Sequence, residues 1–206
     1  MKEVTDLIPV GKGRSEVWLD GEFGFVLYRA ELSRLDLSIG STIGEAELEQ
    51  IYTEVLNPRA VNRLLYLLGS RDMTRRELED KLKSGKYPEA VREYALSKVE
   101  EYGYVNDASY ARRYVDCYRG RKSMGRIRQD LAKHGVSREL IQEAITESEE
   151  THPAAESERQ LIRILLDKRH YDAKSDDRKE KQKHYAYLCR RGFKSEDIAA
   201  VMFDLT

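Results

Sequence analysis

The chain has little cysteine, proline or tryptophan: two, four and one respectively in 206 residues. Cys117 and Cys189 stand far apart with no Cys-x-x-Cys spacing, so neither a disulfide framework nor a thiolate metal site is expected, and free thiols in a cytoplasmic protein are the simplest reading. Four scattered histidines (His134, His152, His170 and His184) lack ligand spacing, so no metal and no other cofactor is expected. No apolar run approaches the ~18 residues of a membrane span. The start, Met1-Lys2-Glu3-Val4, has no apolar signal core. Also missing are a phosphate-cradling Gly-Lys-Ser/Thr motif, a nucleophile elbow and a metal triad, so no catalytic residue is assigned and an enzyme is not expected. Net charge is almost absent too: 36 basic against 37 acidic side chains give −1, which at first argues against a nucleic-acid partner.

What is present is 40% apolar and 35% charged residues, enough to bury cores but favouring thin elements with much exposed surface. Residues 1–56 read as a small β-rich N-terminal cap. Ser15 to Tyr28 holds two strand-like runs around Asp20-Gly21, a strong hairpin signal. Thr5 to Pro9 and Leu35 to Ile39 are read as further short strands, and Glu45 to Leu56 as helix. Gly11-Lys12-Gly13 is a turn signal without the rest of a phosphate loop. So small a sheet must pack on the helices behind it.

From Asn57 the pattern is helical. Asn57-Pro58 reads as an N-cap with proline in the first turn. Thr74-Arg75-Arg76-Glu77 is a capping box, and Pro88 opens a third helix carrying Val91, Ala95, Val99 and Tyr102 on one face. The unit then recurs. Leu82, Leu131 and Leu188 are each followed five positions later by Tyr87, Val136 or Phe193, with Gly135 and Gly192 just before the latter two. Glycine there lets the chain turn through a left-handed conformation. The first copy departs, with Lys86 at that position and Gly85 one residue early. Three tandem three-helix repeats are expected over 57–105, 106–150 and 151–206, with loops near 69–73, 83–87, 103–107, 119–123, 134–137, 150–153, 170–176 and 191–195. Neighbour packing would string them into an elongated, curved array, the alternative being one compact helical bundle; either way the fold class is mainly α.

Charge is uneven along this array. Residues 1–57 carry 5 basic and 11 acidic side chains, a net of −6; residues 58–135 carry +7 and residues 136–206 carry −2. Ser109 to Gly135 holds eight cations (Arg112, Arg113, Arg119, Arg121, Lys122, Arg126, Arg128 and Lys133) against two aspartates. Arg121 and Lys122 fall in the turn before the helix that Ser123 caps, where backbone amides and the dipole favour an anion. A solvated basic face is the plain alternative; a cluster this dense favours an anionic partner. Of 13 tyrosines, seven lie between 87 and 118. Tyr94, Tyr102, Tyr114 and Tyr118 share the helical phase of the core, leaving Tyr104 and Tyr110 as the rings available for stacking.

The stretch Asn106-Asp-Ala-Ser-Tyr-Ala-Arg-Arg-Tyr-Val115, continuing through Ser123-Met-Gly-Arg-Ile-Arg-Gln-Asp-Leu-Ala-Lys-His-Gly-Val136, resembles the RecX recombination regulators. So do Leu65-Tyr-Leu-Leu68, Arg71-Asp-Met-Thr74, Tyr102-Gly-Tyr-Val105 and Leu188-Cys-Arg-Arg-Gly-Phe193. The resemblance covers about residues 58–205. It implies three tandem three-helix units that lodge in the groove of the RecA–DNA filament, limiting its growth and its ATP-dependent activities. On that reading the eight cations above, with Arg71 and Arg75 extending the face, meet DNA phosphates without regard to sequence, or acidic side chains of the RecA recombinase. A monomer without membrane association is expected. Two other classes compete: a helix-turn-helix-like DNA-binding (transcription) protein, reading bases from the helix after Ser123, and a helical scaffold that ignores nucleic acid.

Overall fold

A computed structural model describes residues 1–151, 154–173 and 177–204. The chain is mainly helical and packs as two compact units that divide between Val105 and Asn106. The expected loops at 150–153 and 170–176, and the last two residues of the third repeat, fall partly or wholly outside the described residues.

The first unit opens with strands β1 (Lys2–Gly11), β2 (Arg14–Leu19) and β3 (Glu22–Tyr28), then helix α1 (Arg29–Arg34) and the short strand β4 (Thr42–Ile43). They form one antiparallel sheet in the order β3-β2-β1-β4. Asp20-Gly21 makes the expected two-residue hairpin, pairing Leu19 with Glu22. Both turn residues have positive φ (52° and 81°), as the twist of a tight hairpin requires. Lys12-Gly13 forms a second hairpin of the same length, which extends β1 well beyond the expected Thr5–Pro9. Leu35 to Ile39 is not a strand. Glu31 caps its own helix, accepting from Tyr28 N–H at 2.7 Å, and Leu37 N–H returns to Leu32 O to close that helix. Leu32, Leu35 and Leu37 pack from this turn against the core.

The helix start expected at Asn57 is also corrected. Helix α2 (Glu45–Gln50) runs through a π-helical turn (Ile51–Leu56) into α3 (Asn57–Leu68) without a break. Asn57 has helical φ and ψ, and its N–H bonds to Tyr52 O, five residues back. Pro58 has no N–H and its ring would crowd a regular α-turn; the wider π-turn accommodates it inside a continuous helix.

Helices α4 (Arg75–Ser84) and α5 (Glu89–Glu101) complete the first repeat. The Thr74 capping box forms in both directions, at 3.2 and 3.1 Å. Sheet and helices share one core, in which Val17, Phe25, Leu64, Leu78, Leu82 and Leu96 are fully buried. Val91, Ala95 and Val99 face it as expected, but Tyr102 is 57% exposed, because it stands just past the end of α5.

The second unit holds α6 (Asp107–Tyr118), α7 (Met124–Lys133) and α8 (Arg138–Thr151), then α9 (Ala154–Asp167), α10 (Arg178–Arg190) and α11 (Ser195–Asp204). Each trio has its own core, centred on Val115, Ile127 and Leu131 in one and on Ile162, Leu188 and Ile198 in the other. The repeat signature is the same backbone device three times. Tyr87, Val136 and Phe193 N–H bond to Leu82, Leu131 and Leu188 O, respectively. Gly135 and Gly192 both have φ 84°, and Lys86 takes the same left-handed turn at 58°. The first repeat thus keeps the geometry with a non-glycine residue, at a cost of roughly 1–2 kcal/mol.

Candidate nucleic-acid interface

The cation-rich stretch lies on α6, α7 and the turn between them. Asn106 Oδ1 caps α6 by accepting from Ser109 N–H at 2.8 Å, and Ser123 Oγ caps α7 by accepting from Arg126 N–H at 3.1 Å. Ser123 also donates its hydroxyl proton to Arg191 O at 2.5 Å, tying the start of α7 to the turn after α10. That turn lies directly against α7: a Cβ on Gly125 would collide with the Gly192 carbonyl.

The start of α7 is therefore not the open anion site expected from its sequence. Glu158, 7% exposed, accepts from Met124 N–H at 2.5 Å, so a carboxylate from α9 already occupies the helix terminus. Burial pushes the Glu158 carboxyl pKa up, against the opposing pull of that amide.

The cations divide by role. Lys122 donates to Tyr114 Oη and Asp130 Oδ2, both at 2.9 Å, and its Nζ lies 3.8 Å from the Tyr118 ring centroid. Desolvation pushes Asp130 up, but hydrogen bonding and charge from Lys122, with the charge of Arg126 and the Tyr114 hydroxyl, outweigh it and hold the pKa below the usual range. Lys122 is thus a framework cation. Arg119 is another, clasping Ser148 O and Oγ of α8 at 2.5 and 2.6 Å. Arg112 lies 3.7 Å from Glu147, and Arg128 donates to Gln142 at 3.1 Å. Arg113 and Lys133 are exposed on the same helices. In the first unit, Arg71 pairs with Glu77 at 3.3 Å, and Arg75 with Glu93 and Glu100 at 2.7 and 3.0 Å. Those carboxylates blunt the contribution expected of both arginines.

The remaining cations converge. Arg121 and Arg126 join Arg190 and Arg191, from the end of α10, around a cleft of about 370 Å³ with apolar lining from Leu161, Leu165 and Phe193. All four arginines are exposed. Arg126 pairs with Asp130 at 3.1 Å, while Arg121, Arg190 and Arg191 have no carboxylate partner among the described residues. Charge clustering along the sequence does not single out Arg190 and Arg191; their local signal is an Arg-Arg pair just before the left-handed Gly192. Among the tyrosines, Tyr94 (44% exposed), Tyr102 and Tyr104 (62%) show their rings to solvent, whereas Tyr110, Tyr114 and Tyr118 pack on the second core. The core phase assigned to Tyr94 and Tyr102 is thus corrected: both sit at the edge of their stripe, where the ring can extend into water.

Among the described residues, no group of three or more His, Cys, Asp or Glu could hold a metal ion, and no helix is long and apolar enough to cross a membrane. The fold and cleft define a tandem three-helix-repeat protein with a basic recess between neighbouring repeats. Sequence profiles of the first, second and third three-helix domains of RecX match residues 60–98, 106–145 and 156–202. The chain is 32% identical over 184 residues to the regulatory protein RecX of Caldanaerobacter subterraneus subsp. tengcongensis, covering 89% of each chain. It is 27% identical to that of Clostridioides difficile, covering 92% of this chain and 88% of the other. A crystal structure of regulatory protein RecX superposes with a TM-score of 0.65 at 26% identity, covering 98% of both chains. The RecX structure from Lactobacillus salivarius shares the fold, with a TM-score of 0.61 at 24% identity over 73% of this chain and 96% of that one. The chain belongs to the RecX family of regulatory proteins.

Proposed function

We propose that this protein regulates homologous recombination and DNA repair by binding the RecA–DNA filament as a monomer in the cytoplasm, inhibiting filament extension and ATP-dependent activities. The observation that carries the reading is the match of all three repeats to RecX domains, together with the arginine cleft between the second and third. Arg121, Arg126, Arg190 and Arg191 meet backbone phosphates or acidic recombinase side chains, with Arg112, Arg113, Arg128 and Lys133 flanking them. Arginine suits this role because its planar fork matches phosphate and carboxylate and stays charged at any working pH. Contacts to phosphate carry no base information, so binding is sequence-independent.

A base-reading helix is less favoured. The N-terminal turn of a recognition helix must enter the major groove, whereas that of α7 is covered by Glu158 and Gly192. The decisive experiment adds the protein to preformed RecA filaments on single-stranded DNA and follows ATP hydrolysis and filament length. The expected result is a dose-dependent fall in both. No effect at saturating protein overturns the proposal, and sequence-selective duplex binding without recombinase replaces it with the DNA-binding alternative.

A further inference from the structure

The first unit contains a second basic recess, where two cations from the acidic N-terminal segment join four from the first repeat. It has a volume of about 410 Å³ and draws cations from four places: Lys12 and Arg14 from the β1–β2 hairpin, Arg59 and Arg63 from α3, Lys81 from α4, and Lys86 from the turn after it. No carboxylate lines it. Behind it, Glu31 takes both its oxygens to Arg59 Nη2 at 2.6 Å, and buried Glu16 pairs with Lys86. Lys12, Arg14, Arg63 and Lys81 have no carboxylate partner among the described residues. Arg14 Nε is also buried and donates no hydrogen bond within the protein. A buried cationic donor left unpaired is costly, and native proteins keep few.

The backbone holds this arrangement in place. Gly11, Lys12 and Gly13 all have positive φ (80°, 53° and 69°), and Gly13 O accepts from Arg29 N–H at 2.8 Å. Lys86 is likewise held in its left-handed turn. The walls are partly aromatic: Tyr28, 42% exposed, lies under the Arg59 guanidinium at 5.0 Å, and Tyr87 lines the same recess.

We infer that this recess binds a phosphate group carried by a nucleotide or by a nucleic-acid strand. Four uncompensated cations in one small recess call for a multiply charged anion. Arginine forks match phosphate oxygens in pairs, and the tyrosines offer a surface for the attached sugar and base. The site is separate from the arginine cleft of the second unit and does not depend on the recombinase reading.

The test uses the full chain and the double variant Lys12→Gln/Lys81→Gln, whose two positions are exposed and outside the core. Its control is Arg121→Gln/Arg190→Gln, in the other cleft. Circular dichroism and melting establish that each variant is folded. Calorimetry with ADP and with inorganic pyrophosphate probes the free-nucleotide source; anisotropy with fluorescein-labelled oligo-dT probes the strand. Saturable ADP or pyrophosphate binding, one per chain, that weakens about tenfold per lost cation contact in the Lys12/Lys81 variant but not in the control, supports the site with a nucleotide ligand. Loss of oligo-dT affinity in that variant, without ADP or pyrophosphate binding, supports it with a strand. If folded Lys12/Lys81 variant binds all three probes as the wild type does, or the wild type binds none, the proposal is overturned. Failure of the recombinase reading would show instead in the filament assay, with these titrations unaffected.

Discussion

Gly125 and Gly192 meet backbone to backbone: the α7 glycine lies against the carbonyl of the left-handed glycine after α10, with no room for a Cβ on either. This approach, with the Ser123–Arg191 hydrogen bond beside it, is what brings Arg190 and Arg191 alongside Arg121 and Arg126. Gly125→Ala is expected to destabilise the protein by about 1–3 kcal/mol through overpacking. It should also weaken polyanion binding by separating the arginines. Chemical denaturation checks the first effect and oligonucleotide titration the second.

Glu158 gives a pH-dependent signature. Its carboxyl pKa is raised by burial, so the folded state loses stability as pH climbs from the unfolded value of about 4.3 through the raised folded one. Glu158→Gln keeps an oxygen to accept from Met124 N–H and removes the charge. The variant should therefore gain stability relative to wild type as pH rises above about 4.3, until the folded-state carboxyl is ionised. Glu158→Ala, which leaves that buried amide unpaired, should lose about 1–3 kcal/mol. Denaturation midpoints at several pH values decide between these outcomes.

Lys122 and Arg121 are sequence neighbours with opposite expected phenotypes. Lys122→Ala strips Asp130 of its principal partner and should cost about 1–3 kcal/mol at pH 7. Asp130 has a depressed folded pKa, so its contribution is present above the unfolded value of about 3.9 and disappears as pH falls through the lower folded one. The gap between wild type and variant should accordingly close in acid. Arg121→Ala should leave the melting temperature unchanged.

For the cleft itself, replacing Arg121, Arg190 and Arg191 with Ala should weaken nucleic-acid binding and flatten its salt dependence. The expected change is about 0.7–0.9 in the log–log slope per lost phosphate contact. Titrations at several salt concentrations measure it directly.

Arg75 provides the contrast. It is held by Glu93 and Glu100, so Arg75→Ala should change the salt slope little. It should lower stability by about 0.5–1 kcal/mol, as expected for the loss of a small surface network. A reduced slope would instead place Arg75 on the interface.

Much of this was legible along the chain. Leu82, Leu131 and Leu188, each with its partner five residues on, announced the repeat because one local hydrogen bond recurs there. Thr74, Ser123 and Asp20-Gly21 announced their caps and hairpin for the same reason: the chemistry is complete within about four residues. Asn57-Pro58 misled, since a proline also fits inside a helix once a π-turn widens the preceding backbone. Leu35 to Ile39 misled because apolar residues can close a helix onto a core as readily as they can form a strand.

The site was only half legible. Charge counting found the basic segment but could not separate Lys122 and Arg119, spent on Asp130 and Ser148, from Arg121 and Arg126. Nor could it find Glu158, Arg190 or Arg191, which meet the start of α7 from 34 or more positions away. The three helical repeats, the hairpin and the segment where positive charge concentrates are written along the chain, because periodicity, capping and turn chemistry are local. Which cations are neutralised and which converge follows from the packing of distant elements. Burial and pairing depend on the groups that other elements bring within a few ångströms, and Coulomb and desolvation energies are set at that range.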